Sequence, residues 1–573
     1  MDELRHSENH LVLVLSLLIG ALVGLVIVAF ILLTGRFAAR MYPAGGAGWR
    51  RILVPTLGSL VTGYLLWRFF PSARGSGIPQ TKAALFIHDG RITFRTVVGK
   101  FLCCSASLAS GMALGREGPS VHIGAGLASV IARNTGLSSK QVKALVPVGC
   151  SAALAAAFNT PIAAVLFSLE EIMGDLNATV LGTAVLSSAT SWMVLHLVLG
   201  DDPLFHVTGY RLVNPWELAI YAVLGVVGGL GSTVFVKLLL HLREWFARLP
   251  RNTVWLQPVA GGLAVGIMGY FNPNVMGVGY NFVEKVLNGD VVLQTVVLLG
   301  VLKIAATAMC YSSGNAGGIF GPSLFIGAMM GAAVGSVAHT LFPSVTAGPG
   351  AYALVGMGTA FAGIVRTPLT SVIMIFEVTR DYTIIVPLMI SNLIAFFISY
   401  KLQQEPIYEA LAHQDGIHLP TAEVRAQAAK SQVVHTMREA PIILTPDTLA
   451  GAALEQVKDS LLDAWPVADR QGLCGMLRSA ELEKVRADGS AAKEVRDLLN
   501  EQSRDHPHAL ESAHVHPDHV LGLALERMGS SGLRTLPVVS RANERQLLGI
   551  VVLDDILNFY GVHQSSDESG TRE

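Results

Sequence analysis

Apolar positions dominate the chain as far as Tyr400, and they come in long runs. Leu11 to Leu33, Ile52 to Phe70, Val180 to Leu199, Leu218 to Leu240, Val291 to Tyr311 and Ile384 to Tyr400 each approach or exceed the roughly 20 residues that cross a bilayer core as a helix. Between them lie shorter runs interrupted by glycine and proline: Val97 to Leu114, Ser120 to Ile131, Leu145 to Phe158, Ile162 to Leu169, Phe320 to Val337 and Leu369 to Phe376. Broken backbone is tolerated at membrane depth only where it is buried in protein or lines a polar cavity. The half-length pieces therefore predict the interior of a transporter or channel. From Gln403 onward the pattern changes to short strand-like and helix-like segments rich in charge.

Composition agrees with this pattern. The chain is 51% hydrophobic and 14% charged, with a mean hydropathy of +0.50, more apolar than a soluble core requires. A net charge of -1 argues against a nucleic-acid partner. The opening "MDELRHSENH" lacks the basic start of a cleaved signal peptide, so the first run reads as a retained helix. Cys103, Cys104, Cys150, Cys310 and Cys474 have no metal-binding spacing and read as packing residues. Arg36, Arg40, Arg50 and Arg51 crowd one loop and Arg74, Lys82, Arg91, Arg95 and Lys100 the next, so charge asymmetry does not set the orientation. The long soluble tail is expected in the cytoplasm.

The membrane part repeats. "GPSVHIGAG" (Gly118 to Gly126) returns as "GPSLFIGAM" (Gly321 to Met329), offset by 203, and the block Val148 to Glu171 returns as Val355 to Val378, offset by 207. Two blocks in the same order make the halves homologous, about 52–200 and 254–401. The repeat by itself is compatible with parallel or inverted halves. Either kind places a substrate site near the midplane, at helices broken in corresponding positions.

Those positions are "GREGP" (Gly115 to Pro119) and "GIFGP" (Gly318 to Pro322). Proline suits the first turn of a helix because its missing N–H costs nothing there. The preceding residues leave N–H groups and the positive dipole end facing outward, which makes an anion site. A third break, "GSGIP" (Gly75 to Pro79), adds the hydroxyl of Ser76. Glu117 stands beside the anion site, and a carboxylate inside a membrane needs a partner or a task. It either pairs with Arg116 or competes with a small anion for the helix ends and leaves on protonation. Glu170 and Glu171 end the half-helix that opens at Thr160-Pro161. Glu171 is expected about 15 Å along that helix, as a far-side proton carrier or a solvated helix-end carboxylate.

Together "GSGIP", "GREGP", "GGIFGP" and "FNTPIAAVLFSLEEI" resemble the CLC family of chloride channels and chloride/proton exchangers, in unbroken order from about Arg51 to Leu411. The resemblance implies an all-α polytopic membrane fold with inverted repeats and broken helices, forming a homodimer with a pore in each subunit. It implies chloride held by the Ser76 hydroxyl, the N–H groups of Ile319 and Phe320, and the hydroxyl of Tyr408 in "EPIYEAL". By the same resemblance Glu117 is the gating glutamate and Glu171 the internal proton glutamate of the exchangers. Keeping both acids points to a chloride/proton antiporter in a bacterial-type inner membrane, the alternative being a voltage- or pH-gated chloride channel with the same pore. Ser76 resembles the chloride-preferring members. Gln80 departs from members that place glutamate after the proline. A cation transporter would need carboxylates lining its pore, and the membrane part shows no nucleophile–base pair or metal cluster of an enzyme.

The tail resembles a tandem pair of CBS domains, an α/β module. Met437 to Asp469 is echoed by Leu510 to Ser540, followed by "LLGIVVLDDIL" (Leu547 to Leu557). The resulting organisation is a membrane domain over 1–411, a linker over 412–430, CBS units over 431–486 and 505–562, and a disordered tail over 563–573. No cofactor is required. The resemblance offers an adenine nucleotide held by Asp555, with Glu481 a weaker match, or else a structural, dimer-stabilising tail. Val552 and Arg478 stand where a hydroxyl residue is usual. Histidines 506, 508, 514, 516 and 519 read as a solvated linker or, titrating near neutrality, as a pH- or metal-responsive segment.

Overall fold

The computed structural model describes residues 2–559 except 44, 176–177, 202, 208–211, 290–291, 418, 420–430, 461, 489–491 and 506–513. It divides into two compact units, Met1–Leu419 and Pro420–Glu573. The first unit is helical. Its first half contains α1 (Asp2–Met41), α2 (Arg50–Arg68), α3 (Ile78–Phe86), α4 (Phe94–Ala109), α5 (Glu117–Asn134), α6 (Ser139–Phe158), α7 (Pro161–Phe167) and α8 (Ala178–Leu199). The second contains α9 (Glu217–Ala247), α10 (Gln257–Phe271), α11 (Tyr280–Leu287), α12 (Leu293–Ser312), α13 (Phe320–Leu341), α14 (Pro349–Val365), α15 (Pro368–Thr379) and α16 (Ile385–Leu402), and α17 (Ile407–Gln414) follows.

Among the described residues seven helical spans are long and apolar enough to cross a membrane. Two of them, α6 and α13, contain runs expected to be half-length. The polar start of α6, with its capping box of Ser138 and Gln141, extends that helix ahead of its apolar stretch, whereas α13 opens at Phe320 and runs past its stretch to Leu341. Conversely α2 falls short of that apolarity, because Ser59, Thr62 and Gly63 interrupt it where it packs on α10.

Each helix of the first half corresponds to the helix eight places later, and the packing repeats accordingly: α5 on α6 as α13 on α14, α6 on α8 as α14 on α16. The main crossings are glycine on glycine. A Cβ on Gly124 would lie 2.2 Å from the Gly149 carbonyl oxygen, and one on Gly327 would lie 2.3 Å from that of Gly356. The halves are inverted, as two carboxylates demonstrate. Glu170, just past the end of α7, accepts the N–H groups of Leu369 (3.2 Å) and Thr370 (2.7 Å) at the start of α15. Glu377, near the end of α15, accepts those of Ile162 (2.9 Å) and Ala163 (2.7 Å) at the start of α7. Each helix end meets the start of its counterpart, so equivalent helices run antiparallel.

In the second unit, β1 (Ala464–Asp469) pairs antiparallel with β2 (Gly472–Arg478), and β3 (Thr535–Val539) with β4 (Leu547–Val552). Two modules, one around each strand pair, interlock: Ile550 and Val552 enter the core built mainly by the first module, while Val433, Ala464 and Met476 enter that of the second. His514, His516 and His519 belong to the second module and not to a linker. Val515 bridges to Val538 beside β3, and His516 Nδ1 lies 3.0 Å from the Val539 carbonyl oxygen. His506 and His508, most of the 412–430 linker and the 563–573 tail lie outside the described residues.

Candidate functional site

The site is built from four loops, two in each half. "GSGIP" leads into α3, and its repeat counterpart "GVGYN" (Gly277 to Asn281) leads into α11. Gly77 (φ +101°) and Gly279 (φ +88°) cap these helices in the left-handed region, where a side chain would be strained. Each loop is clamped by a fully buried lysine one helix away. Lys100 Nζ donates to the carbonyls of Arg74 (3.3 Å) and Gly75 (2.9 Å), and Lys303 Nζ to those of Val275 (3.0 Å) and Gly277 (2.6 Å). Lys82 and Lys100, expected in a loop, are thus interior cations, because their ammonium groups find oxygen partners inside the fold. Gln80 Oε1 accepts the Gly77 N–H at 3.0 Å, so a neutral amide does the capping.

The other two loops pair directly. Gly115 and Gly318 exchange antiparallel backbone hydrogen bonds of 2.6 and 2.7 Å, bringing the N-termini of α5 and α13 together. Gly118 fits between them and the Ser76 loop: a Cβ there would lie 3.0 Å from the Ser76 carbonyl oxygen and 3.5 Å from Gly318 Cα.

Glu117 is fully buried and its carboxylate turns across to the opposite half. Oε2 accepts the Gly321 N–H at 3.2 Å, in the first turn of α13. Oε1 accepts the hydroxyl of Tyr280 at 2.5 Å. Arg116 Nε is 4.0 Å from Oε1, and its guanidinium lies 5.8 Å from the centre of the Tyr280 ring. The carboxylate therefore sits at the positive end of α13, where an anion is stabilised. The neighbouring arginine is the most distant of these partners.

Ile319 and Phe320 open α13 and are fully buried. The Phe320 ring packs on Phe361 (4.3 Å), Phe158 (4.8 Å) and Phe167 (5.6 Å) between centroids. Among the described residues, Ser76 Oγ and Tyr408 Oη are buried and have no hydrogen-bond partner. Such hydroxyls carry a desolvation cost that a ligand can relieve. Tyr408 stands on α17, separated from α16 by a break at Gln403–Pro406, and α17 packs on α3.

Glu171 is placed differently from the expected straight helix. The α7 helix widens at Ser168 into a π-helical segment, Ser168–Met173, a distortion common at functional sites. Glu171 is buried there, with Oε1 2.9 Å from Lys82 Nζ, so it is no solvated helix end. Lys82 also reaches Glu409 Oε1 at 3.4 Å. Its neighbour Glu170 is committed to capping α15.

Reasoning on motifs alone misses Tyr280, Lys82 and Glu409. Tyr280 was within reach, since an offset of 202 maps "GSGIP" onto "GVGYN". Lys82 and Glu409 have no local signal, because only packing tells an interior cation from a loop one. In the second unit, Asp555 is ion-paired with Arg438 at 3.2 Å and Glu481 with Lys484 at 2.9 Å.

Residues 58–400 match the profile described as voltage gated chloride channel, and residues 508–561 match the CBS domain. The chain is 30% identical over 425 residues to the H(+)/Cl(-) exchange transporter ClcA of Vibrio cholerae, covering 70% of this chain and 89% of that one. It is 31% identical over 441 residues to ClcA of Salmonella arizonae, covering 74% and 91%. Among solved structures, a slow cyanobacterial Cl-/H+ antiporter superposes with a TM-score of 0.66 at 26% identity, covering 70% of this chain and 97% of that one. A eukaryotic CLC transporter gives 0.66 at 21% identity over 95% and 97%, a likeness of fold. With its inverted repeats, paired helix N-termini and a profile match over more than half its length, the chain belongs to the CLC family of voltage gated chloride channel proteins.

Proposed function

We propose that the protein is a chloride/proton antiporter. The observation that carries this reading is Glu117: a buried carboxylate occupying the N-terminus of α13, the place a permeating anion would take. Chloride is held by the Ser76 hydroxyl, the N–H groups of Ile319 and Phe320 and the Tyr408 hydroxyl. The two buried, unpartnered hydroxyls and the dipole end of α13 support this set. Chloride and the ionised Glu117 compete for the same donors. Protonation removes the carboxylate's charge and its hold on the Gly321 N–H, so the side chain yields to the anion. Glu171, buried and paired to Lys82, supplies that proton from the opposite side. One carboxylate thus exchanges a proton for an anion in one place.

The reading includes a homodimer with a pore in each subunit, a bacterial inner membrane, and the C-terminal unit in the cytoplasm. Bacterial relatives named as exchange transporters support it, as does the multi-pass apolar architecture. The test is the reversal potential of reconstituted protein under a pH gradient. A potential that moves with the proton gradient is expected, whereas one set by chloride alone would make the protein a channel. Glu117→Ala is expected to keep chloride flux and lose proton flux.

A further inference from the structure

Under antiport, Glu171 must be loaded from water, yet its side chain is only 6% exposed. The geometry points outward through Lys82. Its ammonium, 7% exposed, contacts Glu171 Oε1 at 2.9 Å and Glu409 Oε1 at 3.4 Å, and the Glu409 side chain is 34% exposed. Exposure thus rises sharply along three charged groups within contact of one another. Glu409 follows Tyr408 on α17, and successive residues on a helix point about 100° apart. One helix therefore turns a fully buried tyrosine inward and a carboxylate toward the Lys82 cluster.

Other charged groups nearby are committed elsewhere. The Glu170 oxygens accept from Leu369 and Thr370. Arg366, the left-handed cap of α14, donates to the carbonyls of Ser399, Gln403 and Gln404 and is a neighbouring cation for Glu409. On the flank of α17, His413 pairs with Glu405 at 3.3 Å.

We infer that Glu409 is the proton-loading carboxylate of the transport cycle and that Lys82 relays its proton to Glu171, an inference that rests on the antiport reading. The step balances. An acid in solution protonates Glu409. Lys82 then gives one ammonium proton to the Glu171 carboxylate while the Glu409 acid returns one to Lys82. An N–H and an O–H bond break, an O–H and an N–H bond form, and the ammonium is charged before and after. Once its proton has passed on, the Glu409 carboxylate again faces the Lys82 ammonium at 3.4 Å.

The test uses full-length protein in liposomes, with proton and chloride fluxes measured together and chloride binding measured in detergent. Glu409→Gln is expected to cut proton flux by at least about tenfold, a modest share of what a positioned proton-transfer group contributes. The residual flux is expected to shift to more acidic pH, with chloride binding intact. Glu409→Asp is expected to restore part of the flux. Wild-type protein that moves no protons against a chloride gradient would remove the antiport reading itself. Coupled wild type alongside a Glu409→Gln variant with unchanged proton flux and pH profile would overturn this inference alone. Loss of chloride binding in Glu409→Gln would also overturn it, reducing Glu409 to a structural support of Tyr408.

Discussion

Tyr280 and Glu117, 163 residues apart, share a 2.5 Å hydrogen bond from hydroxyl to carboxylate in the interior of the membrane unit. In the proposed cycle this bond fastens the Glu117 carboxylate at the start of α13, where it competes with the anion. A hydrogen bond to a charged group contributes about 1.5–3 kcal/mol. Tyr280→Phe is therefore expected to weaken Glu117 as a competitor and raise apparent chloride affinity about tenfold or more, since each 1.4 kcal/mol is about tenfold. Isothermal titration with chloride near neutral pH measures this, and an unchanged affinity would remove the latch.

Lys100 and Lys303 occupy equivalent places and each holds two loop carbonyls. Methionine keeps the stem and leaves those carbonyls without the donor, at about 1–3 kcal/mol per buried group. Lys100→Met and Lys303→Met are both expected to lower the thermal midpoint in detergent. Their functional effects diverge: Lys100→Met weakens chloride binding by loosening the Ser76 loop, whereas Lys303→Met acts through Tyr280 and strengthens it. Equal shifts of binding in both variants would contradict the assignment.

Glu170 and Glu377 cap each other's helices. Glu377→Ala and Glu170→Ala are each expected to cost about 1–3 kcal/mol, read as a lower unfolding temperature, while the chloride-to-proton ratio stays at the wild-type value. Glu171→Ala is expected to do the reverse and abolish proton flux. A changed ratio in Glu377→Ala would assign that carboxylate to transport.

In the second module burial holds His514 and His519 below the usual imidazole range, with Arg527 and His516 adding to it for both. The unfolded chain then binds protons more readily than the folded one. The stability these groups contribute is complete above about pH 6.5, the unfolded value, and is lost as pH falls through the lowered folded values. Hydrogen exchange of peptides covering 514–540 in the full chain, corrected for intrinsic rate, is expected to quicken between pH 7.5 and 5.5. Equal protection at both ends would count against it.

Much of the architecture is local and therefore legible in the order of residues. Long apolar runs specify helices, and glycine-proline pairs specify where a helix starts and offers its N–H groups. Two offset blocks specify a duplicated fold in which Glu117 is the acid that its counterpart Phe320 lacks. These features depend on the backbone preferences of neighbours in sequence.

The tertiary structure decides the partners. Repeated letters cannot orient the halves, but carboxylates capping each other's helices can. Glu170 and Glu171 are adjacent, and only the π-helical turn and Lys82, 89 residues away, separate a helix-capping carboxylate from a buried one paired with an interior lysine. Lys82 and Lys100 read as loop cations until packing buries them. The physical reason is the same in each case: a charge inside a membrane protein is stable only beside a group that satisfies it, and that group is selected by the packing of helices from both halves, not by its distance along the chain.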